Sequence, residues 1–453
     1  MKKILLLLLL PIVANSQQTD SLFIKKIADE ILTNGKAYDL LYHLTKKIGG
    51  RLAGSPQYNK AVNWGFNTMQ QMGADKVFLQ ECIVPHWVRG VGDFATLQNT
   101  NSSSVKKQLN ITAIGNSLGN TKIIKAPIIL IHNFQELENK KEEVKGKIVF
   151  YNAAFNPTNI RTFKSYGETA SYRVNGASRA AKYGAVAVIV RSLTEATDNH
   201  PHTGTLRYND SFPKIPAVCV GLKDADYIAQ NIKKGNWQVA LKTNGKLLPD
   251  TINHNVIAEL KGTEFPNEYI TIGGHLDSWD VSEGAHDDGA GVVQTIEILR
   301  AFKALGYQPK HTIRFVLFAN EENGTKGGLK YAEKAKENKE QHIFALESDA
   351  GGFTPRGFLF TMDKEKLAKV KLWLPLLKPY GTEALDAGGG GADIGPLNKT
   401  FNTPIAGFMP DTQRYFDVHH SVNDIFENVN KRELLLGAVN MAALIYLIDQ
   451  HSL

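Results

Sequence analysis

Cysteine is scarce in this chain, with two thiols, Cys82 and Cys219, among 453 residues. A disulfide-stapled scaffold is excluded, and neither cysteine has the Cys/His spacing of a structural zinc site. In an exported chain the two could pair; both lie in apolar stretches, so two buried free thiols are the alternative. A dense run of Lys or Arg is also missing. The formal charge of +7 is spread along the chain, which implies a mildly basic surface and no nucleic-acid partner. No segment is biased enough in composition for long disorder. Beyond the first residues, no stretch reads as the roughly 20 apolar residues needed to cross a bilayer, so no stable membrane insertion is expected.

What is present is the composition of a globular protein, 43% hydrophobic and 21% charged, in a chain long enough for two or three domains. Lys2 and Lys3 precede an apolar run from Ile4 to Val13, and Ala14-Asn15-Ser16 supplies small residues for cleavage. Residues 1–16 therefore read as a signal peptide, which implies a secreted or periplasmic protein. Further on, Ser55 and Pro56 have the chemistry of an N-cap and first helical residue, Tyr58, Val62, Phe66, Met69 and Met72 recur at helical spacing, and Gly73 stops the run.

The texture changes at about Ile123. Short β-rich runs follow, APIILIHN, KGKIVFYNA, GAVAVIV and IPAVCVG, with a helical SYRVNGASRAAKYGA among them. This predicts a small β-rich insertion over 123–246, between a first part at 17–122 and a second at 247–453. From Ile257 strands alternate with helices: EYITIGG, GVVQTIEILRAFKALG, HTIRFVLFA and HIFALES. That alternation predicts an α/β fold with a mainly parallel mixed sheet covered by helices.

Polar clusters follow those strands: His275 and Asp277 in GGHLDSWD, Asp287 and Asp288 in GAHDDGAG, Glu321 and Glu322 in NEENG, Asp349 in ESDAGG, and His420 in DVHHSVND. Ligands bind at the carboxyl ends of strands in such sheets. Carboxylates gathered there would repel one another and be costly to desolvate, a cost that a pair of divalent cations removes. Mixed His and carboxylate donors suit zinc. His200 and His202 have H-x-H spacing but lie in a polar loop of the insertion, and no metal is expected there. Arg356 and Arg414 are candidates for a substrate-carboxylate clamp.

In order, spacing and strand context these motifs resemble the co-catalytic zinc exopeptidases. IGGRLAGS, HPHTGT and KIPAVCVG extend the likeness over nearly the whole chain, and the insertion resembles a protease-associated domain. The resemblance implies two zinc ions per chain. His275 and Asp349 would hold one, Glu322 and His420 the other, with Asp287 bridging through a cis Asp287–Asp288 peptide. Glu321 would be the general base for a zinc-bound hydroxide, Asp277 would hold the free ring nitrogen of His275, and His419 would donate to the oxyanion. The substrate implied is a dipeptide or short peptide, cleaved in carboxypeptidase or dipeptidase mode by a homodimer. An aminopeptidase on longer peptides, a glutaminyl-cyclase-like transferase and a non-catalytic receptor-like relative are the competing readings.

Overall fold

The computed structural model describes residues 18–102 and 104–453 in full and only the backbone of residues 4–17. The expected leader at 1–16 lies outside the fully described residues. The chain lays down one strand, β1 (Lys76–Val88), and then leaves for a second sheet: β2 (Phe94–Asn99), β3 (Lys106–Leu109), β4 (Ile111–Ala113), β5 (Ile124–Ile131), β6 (Ile148–Tyr151), β7 (Ala187–Arg191), β8 (Ala217–Val220) and β9 (Trp237–Lys242). It returns with β10 (Lys246–Leu260), β11 (Phe265–His275), β12 (His311–Phe318), β13 (Gln341–Glu347), β14 (Pro355–Thr361), β15 (Ala384–Ala387) and β16 (Ile405–Pro410).

Among the described residues the first sheet runs β1-β10-β12-β11-β13-β16-β14-β15 and the second β3-β2-β9-β5-β6-β7-β8-β4. The neighbours β12, β11, β13 and β16 are parallel, as the alternation of strands and helices predicts. Every residue of β12 is buried, because helices cover both faces. Phe315 and Leu317 join the larger core with the helices Ala290–Ala304 and Lys431–His451; Val316 and Phe318 face Tyr331 and Ala335 of the helix Lys326–Glu337 on the other side. The helix at Pro56–Gln71 forms as its sequence predicts, with the Ser55 side chain accepting from the Tyr58 amide.

Two expectations need correction. The second sheet ends before Lys246, where the insertion was expected to end, but begins at Phe94, well before residue 123. Its first strands are short and polar (β3 is KKQL) and gain their place by pairing with β9 and β8, so no apolar run announces them. One later helix, Lys431–His451, is in fact long and apolar enough to cross a membrane; it is mostly buried in the core, which explains its composition. The cysteines are both free: Cys82 lies on β1 and Cys219 on β8, and burial pushes both thiols up to about 12.

Candidate metal centre

The polar clusters converge at the carboxyl edge of the first sheet. His275 ends β11, Glu321 and Glu322 follow β12, Asp349 follows β13, and His419 and His420 follow the short helix Tyr415–Val418 after β16. Asp287 lies in the turn that leads into the helix Ala290–Ala304, and the Asp287–Asp288 peptide is cis.

Asp287 divides its two oxygens between two groups. Its Oδ1 is 3.2 Å from His275 Nε2, which is also 3.3 Å from Asp349 Oδ1. Its Oδ2 is 3.1 Å from His420 Nε2, which is also 3.2 Å from Glu322 Oε2. The hydrogen bonds of the two imidazoles fix what these contacts are. His275 Nδ1 donates to the Asp277 carbonyl at 3.0 Å and His420 Nδ1 to the Thr203 carbonyl at 3.2 Å. With Nδ1 donating, each Nε2 is set against carboxylate oxygens, so either a proton on that nitrogen or a cation must lie between them, and in a neutral ring the lone pair is free to bind a metal ion. His275 Nε2 and Asp287 Oδ2 are buried without a hydrogen-bond partner. The donor set, imidazole nitrogen and carboxylate oxygen, fits zinc.

The electrostatics point the same way. Burial raises Glu322, Asp288 and Asp349 above the ordinary carboxyl range, and the neighbouring acids add to it. Burial also drives Glu321, whose side chain has no hydrogen-bond or ion-pair partner among the described residues, up to about 8. Asp287 runs the other way: burial opposes its charge, but the imidazoles of His275 and His420 set against its two oxygens outweigh burial and hold it well below 3.8.

Buried polar groups hold the loops. Asp288 accepts from the amides of His275 and Gly291, both at 2.9 Å, and Gly274 has no side chain because a Cβ there would lie 2.3 Å from Asp288 Oδ2. Asp424 accepts from the amides of His286 at 2.6 Å and Asp287 at 3.1 Å. Arg51, fully buried, donates to the carbonyls of Leu276, Glu283 and Gly284. Asp277 differs from expectation. Its backbone carbonyl takes the His275 ring proton at 3.0 Å, with the carboxylate Oδ1 behind it at 3.7 Å from Nδ1; the carboxylate accepts from the amides of Glu321 at 3.0 Å and Glu322 at 3.2 Å. Ring orientation is thus set by a main-chain atom, while the side chain holds the turn of the two glutamates.

Residues 255–445 match Peptidase family M28. Carboxypeptidase Q from Mus musculus is 34% identical over 91% of this chain and 85% of its own length. This chain belongs to peptidase family M28. The crystal structure of a peptidase M28 precursor from Shewanella amazonensis SB2B superposes with a TM-score of 0.91 at 32% identity, covering 96% of this chain and 98% of that one. A zinc aminopeptidase from Bacillus subtilis shares the fold at 21% identity, with a TM-score of 0.65 over 92% of this chain and 95% of its own.

In this M28 chain a cavity of about 200 Å³ opens on Asp287, Glu321, Glu322, Asp349, His419 and His420. Its far wall comes from the second sheet's helix Thr162–Ala181, through Phe163, Tyr166 and Arg173. Arg173 was not legible as a site residue, because one basic residue in an amphipathic helix reads as surface. It is 4% exposed, donates to the Thr203 carbonyl at 3.2 Å and the Tyr166 hydroxyl at 2.6 Å, and leaves Nε without a partner. Among the described residues it makes no ion pair. The arginines singled out in the sequence are committed elsewhere: Arg356 pairs with Glu383 and Asp411, and Arg414 with Glu433. His202 is held through its Nδ1, which lies 2.7 Å from the His419 carbonyl.

Proposed function

We propose that this M28 peptidase is a two-zinc exopeptidase that hydrolyses dipeptides or short peptides in carboxypeptidase or dipeptidase mode. The observation that carries the reading is the Asp287 carboxylate, with one oxygen toward His275 and Asp349 and the other toward His420 and Glu322. His275 and Asp349 would hold one ion, Glu322 and His420 the other, and Asp287 would bridge them. When bound, the ions would supply Lewis-acid activation of water and of the scissile carbonyl. Glu321, whose side chain is unpaired among the described residues, takes the proton of the attacking water and returns it to the leaving amine. His419 lines the same cavity beside Asp287, and its ring nitrogen is the proposed donor to the oxyanion. A buried cation without a countercharge is expensive, so Arg173 favours a substrate that brings a carboxylate into the cavity. The N-terminal sequence supports export to the periplasm or medium, and the likeness to carboxypeptidase Q is the ground for expecting a homodimer, which light scattering checks.

The deciding experiment has two parts. Elemental analysis of protein purified without chelator should find two zinc ions per chain; a reproducible maximum of one after reloading sinks the two-metal reading. Loaded enzyme given free, N-blocked and C-amidated dipeptides should spare the amidated ones. Equal cleavage of amidated and free dipeptides would favour the aminopeptidase alternative.

A further inference from the structure

A second cavity, of about 660 Å³, adjoins the metal-ligand cluster and shares Asp349 and Phe163 with the smaller one. We propose that Glu347, on its wall, anchors the free α-ammonium group of a short peptide whose first side chain is apolar. The proposal rests on the peptidase reading and adds to it the end of the substrate that this second cavity receives.

Glu347 is the last residue of β13, two before Asp349. It is 1% exposed. Its Oε2 accepts from the amides of Asp393 at 3.1 Å and Ile394 at 2.9 Å, which fixes the carboxylate in place. Its Oε1 has no partner, and among the described residues no Lys, Arg or His pairs with it. Leaving an acceptor buried and unmatched is costly, and an ammonium group removes that cost by donating a hydrogen bond to it.

The surroundings are built around this carboxylate. A Cβ on Gly391 would lie 2.0 Å from the Glu347 carboxyl carbon, so only glycine lets the backbone pass this close to the group. Gly389 and Gly390 press as closely on Leu359 and Ile405, at 2.3 and 2.6 Å for an added Cβ. The glycine run is therefore a fitted wall. Leu359, Phe408, Met409 and Ala350 give the cavity an apolar lining, suited to an apolar side chain. The cationic groups on the wall are engaged: Arg356 with Glu383 and Asp411, Arg161 with Asp386. An ammonium at Glu347 and a carboxylate at Arg173 would hold a short peptide by both ends across the metal ligands, and a chain extended at either end would lose one anchor.

The test compares Leu-Leu with N-acetyl-Leu-Leu on the zinc-loaded protein. Glu347→Gln keeps an oxygen acceptor for the two amides and removes the charge. The ratio of kcat/KM for the free over the acetylated dipeptide should fall about tenfold or more, mainly through KM, the scale of one hydrogen bond to a charged group. Gly391→Ala, which sets a methyl group against the carboxylate, should lower the same ratio and guards against misfolding of the first variant. Calorimetric binding of L-leucine, which needs no turnover, should weaken in parallel, and N-acetylleucine should bind both proteins poorly. A ratio that survives both substitutions, or a loss equal for both dipeptides, overturns the anchor. Protein that turns over neither dipeptide yet binds leucine through Glu347 keeps the anchor and sinks the peptidase reading instead.

Discussion

The ring Nδ1 of His202 lies 2.7 Å from the backbone carbonyl oxygen of His419, so a loop of the second sheet holds the residue next to a proposed metal ligand. Beside it the Thr203 amide donates to the His420 carbonyl at 2.8 Å, and the Thr203 carbonyl accepts from the His420 ring. Burial keeps His202 at about 4, neutral at physiological pH, with Nδ1–H as the donor. His202→Phe keeps the ring bulk and removes this hydrogen bond. Zinc affinity should fall by about tenfold, the low end for groups that orient metal ligands. Competition against a chelator of known affinity reads it; an unchanged affinity means the brace is not needed.

The adjacent glutamates should separate. Glu321→Gln should lower kcat by about 10²–10⁴-fold, the scale of general-base catalysis, with zinc content held. Glu322→Gln should lose metal as well. Parallel zinc and turnover measurements decide it, and near-normal turnover in Glu321→Gln ends its assignment as base.

Asp277→Asn tests the corrected role of that side chain. Its carboxylate holds the amides of Glu321 and Glu322, whereas His275 is held by the main chain. The variant retains one oxygen acceptor and loses the second, so kcat should drop by about tenfold, as for lost orienting groups, with both metal equivalents kept. Loss of zinc instead would return the side chain to His275.

His419→Phe preserves an aromatic ring packed on His420, at a centroid distance of 3.5 Å, and removes the nitrogen that faces the cavity. kcat should fall by roughly 10²–10³-fold, as when an oxyanion donor is removed, with zinc occupancy and melting temperature unchanged. Wild-type turnover would transfer that task wholly to the ions.

Away from the centre, Glu340 is a stability element with a defined pH window. Burial opposes its charge, but hydrogen bonds from His342 and from Arg314, at 2.6 Å, outweigh it and hold the carboxyl at about 2, against 4.5. A depressed carboxyl stabilises the fold above its unfolded pKa, and that stability is lost as pH falls from 4.5 toward 2. At 1.36 kcal/mol per pH unit this is at most about 3 kcal/mol. Glu340→Gln should unfold earlier in denaturant at pH 7, and its gap from wild type should narrow at pH 3. A gap that does not depend on pH would assign the loss to packing alone.

The convergence of the proposed metal ligands was legible because each polar cluster interrupts an apolar strand where the sheet ends, and because adjacent residues such as Glu321–Glu322 and His419–His420 break the alternation of a strand or helix. The far wall was not. Arg173 and Tyr166 acquire their roles only when the helix Thr162–Ala181 packs over the sheet edge, and helical periodicity cannot say which sheet a helix faces. Glu347 stood inside a motif that drew attention to Asp349, yet the glycine run that ends at Gly391, the residue packed against it, was a signal available in the sequence. Strands β2–β4 were missed for a related reason: β2 and β4 are made strands by pairing with the distant β9 and β8, and β3 by pairing with β2, rather than by apolar runs of their own.

The route between β1 and β10 has a consequence for how the molecule is assembled. Trp87 pairs with Leu247 and Val88 with Lys246, so residues 89–245 depart and return one strand spacing apart, about 4.8 Å. On the ribosome, the whole second sheet emerges before β10, the strand that pairs with β1. Closing that pair early would demand a loop of great length and a correspondingly large entropic cost, whereas a guest that has already condensed delivers its two ends side by side. The order of synthesis thus favours a guest-first pathway, in which Arg173 and His202 are in place before the strands bearing His275, Glu322 and Asp349 have been made.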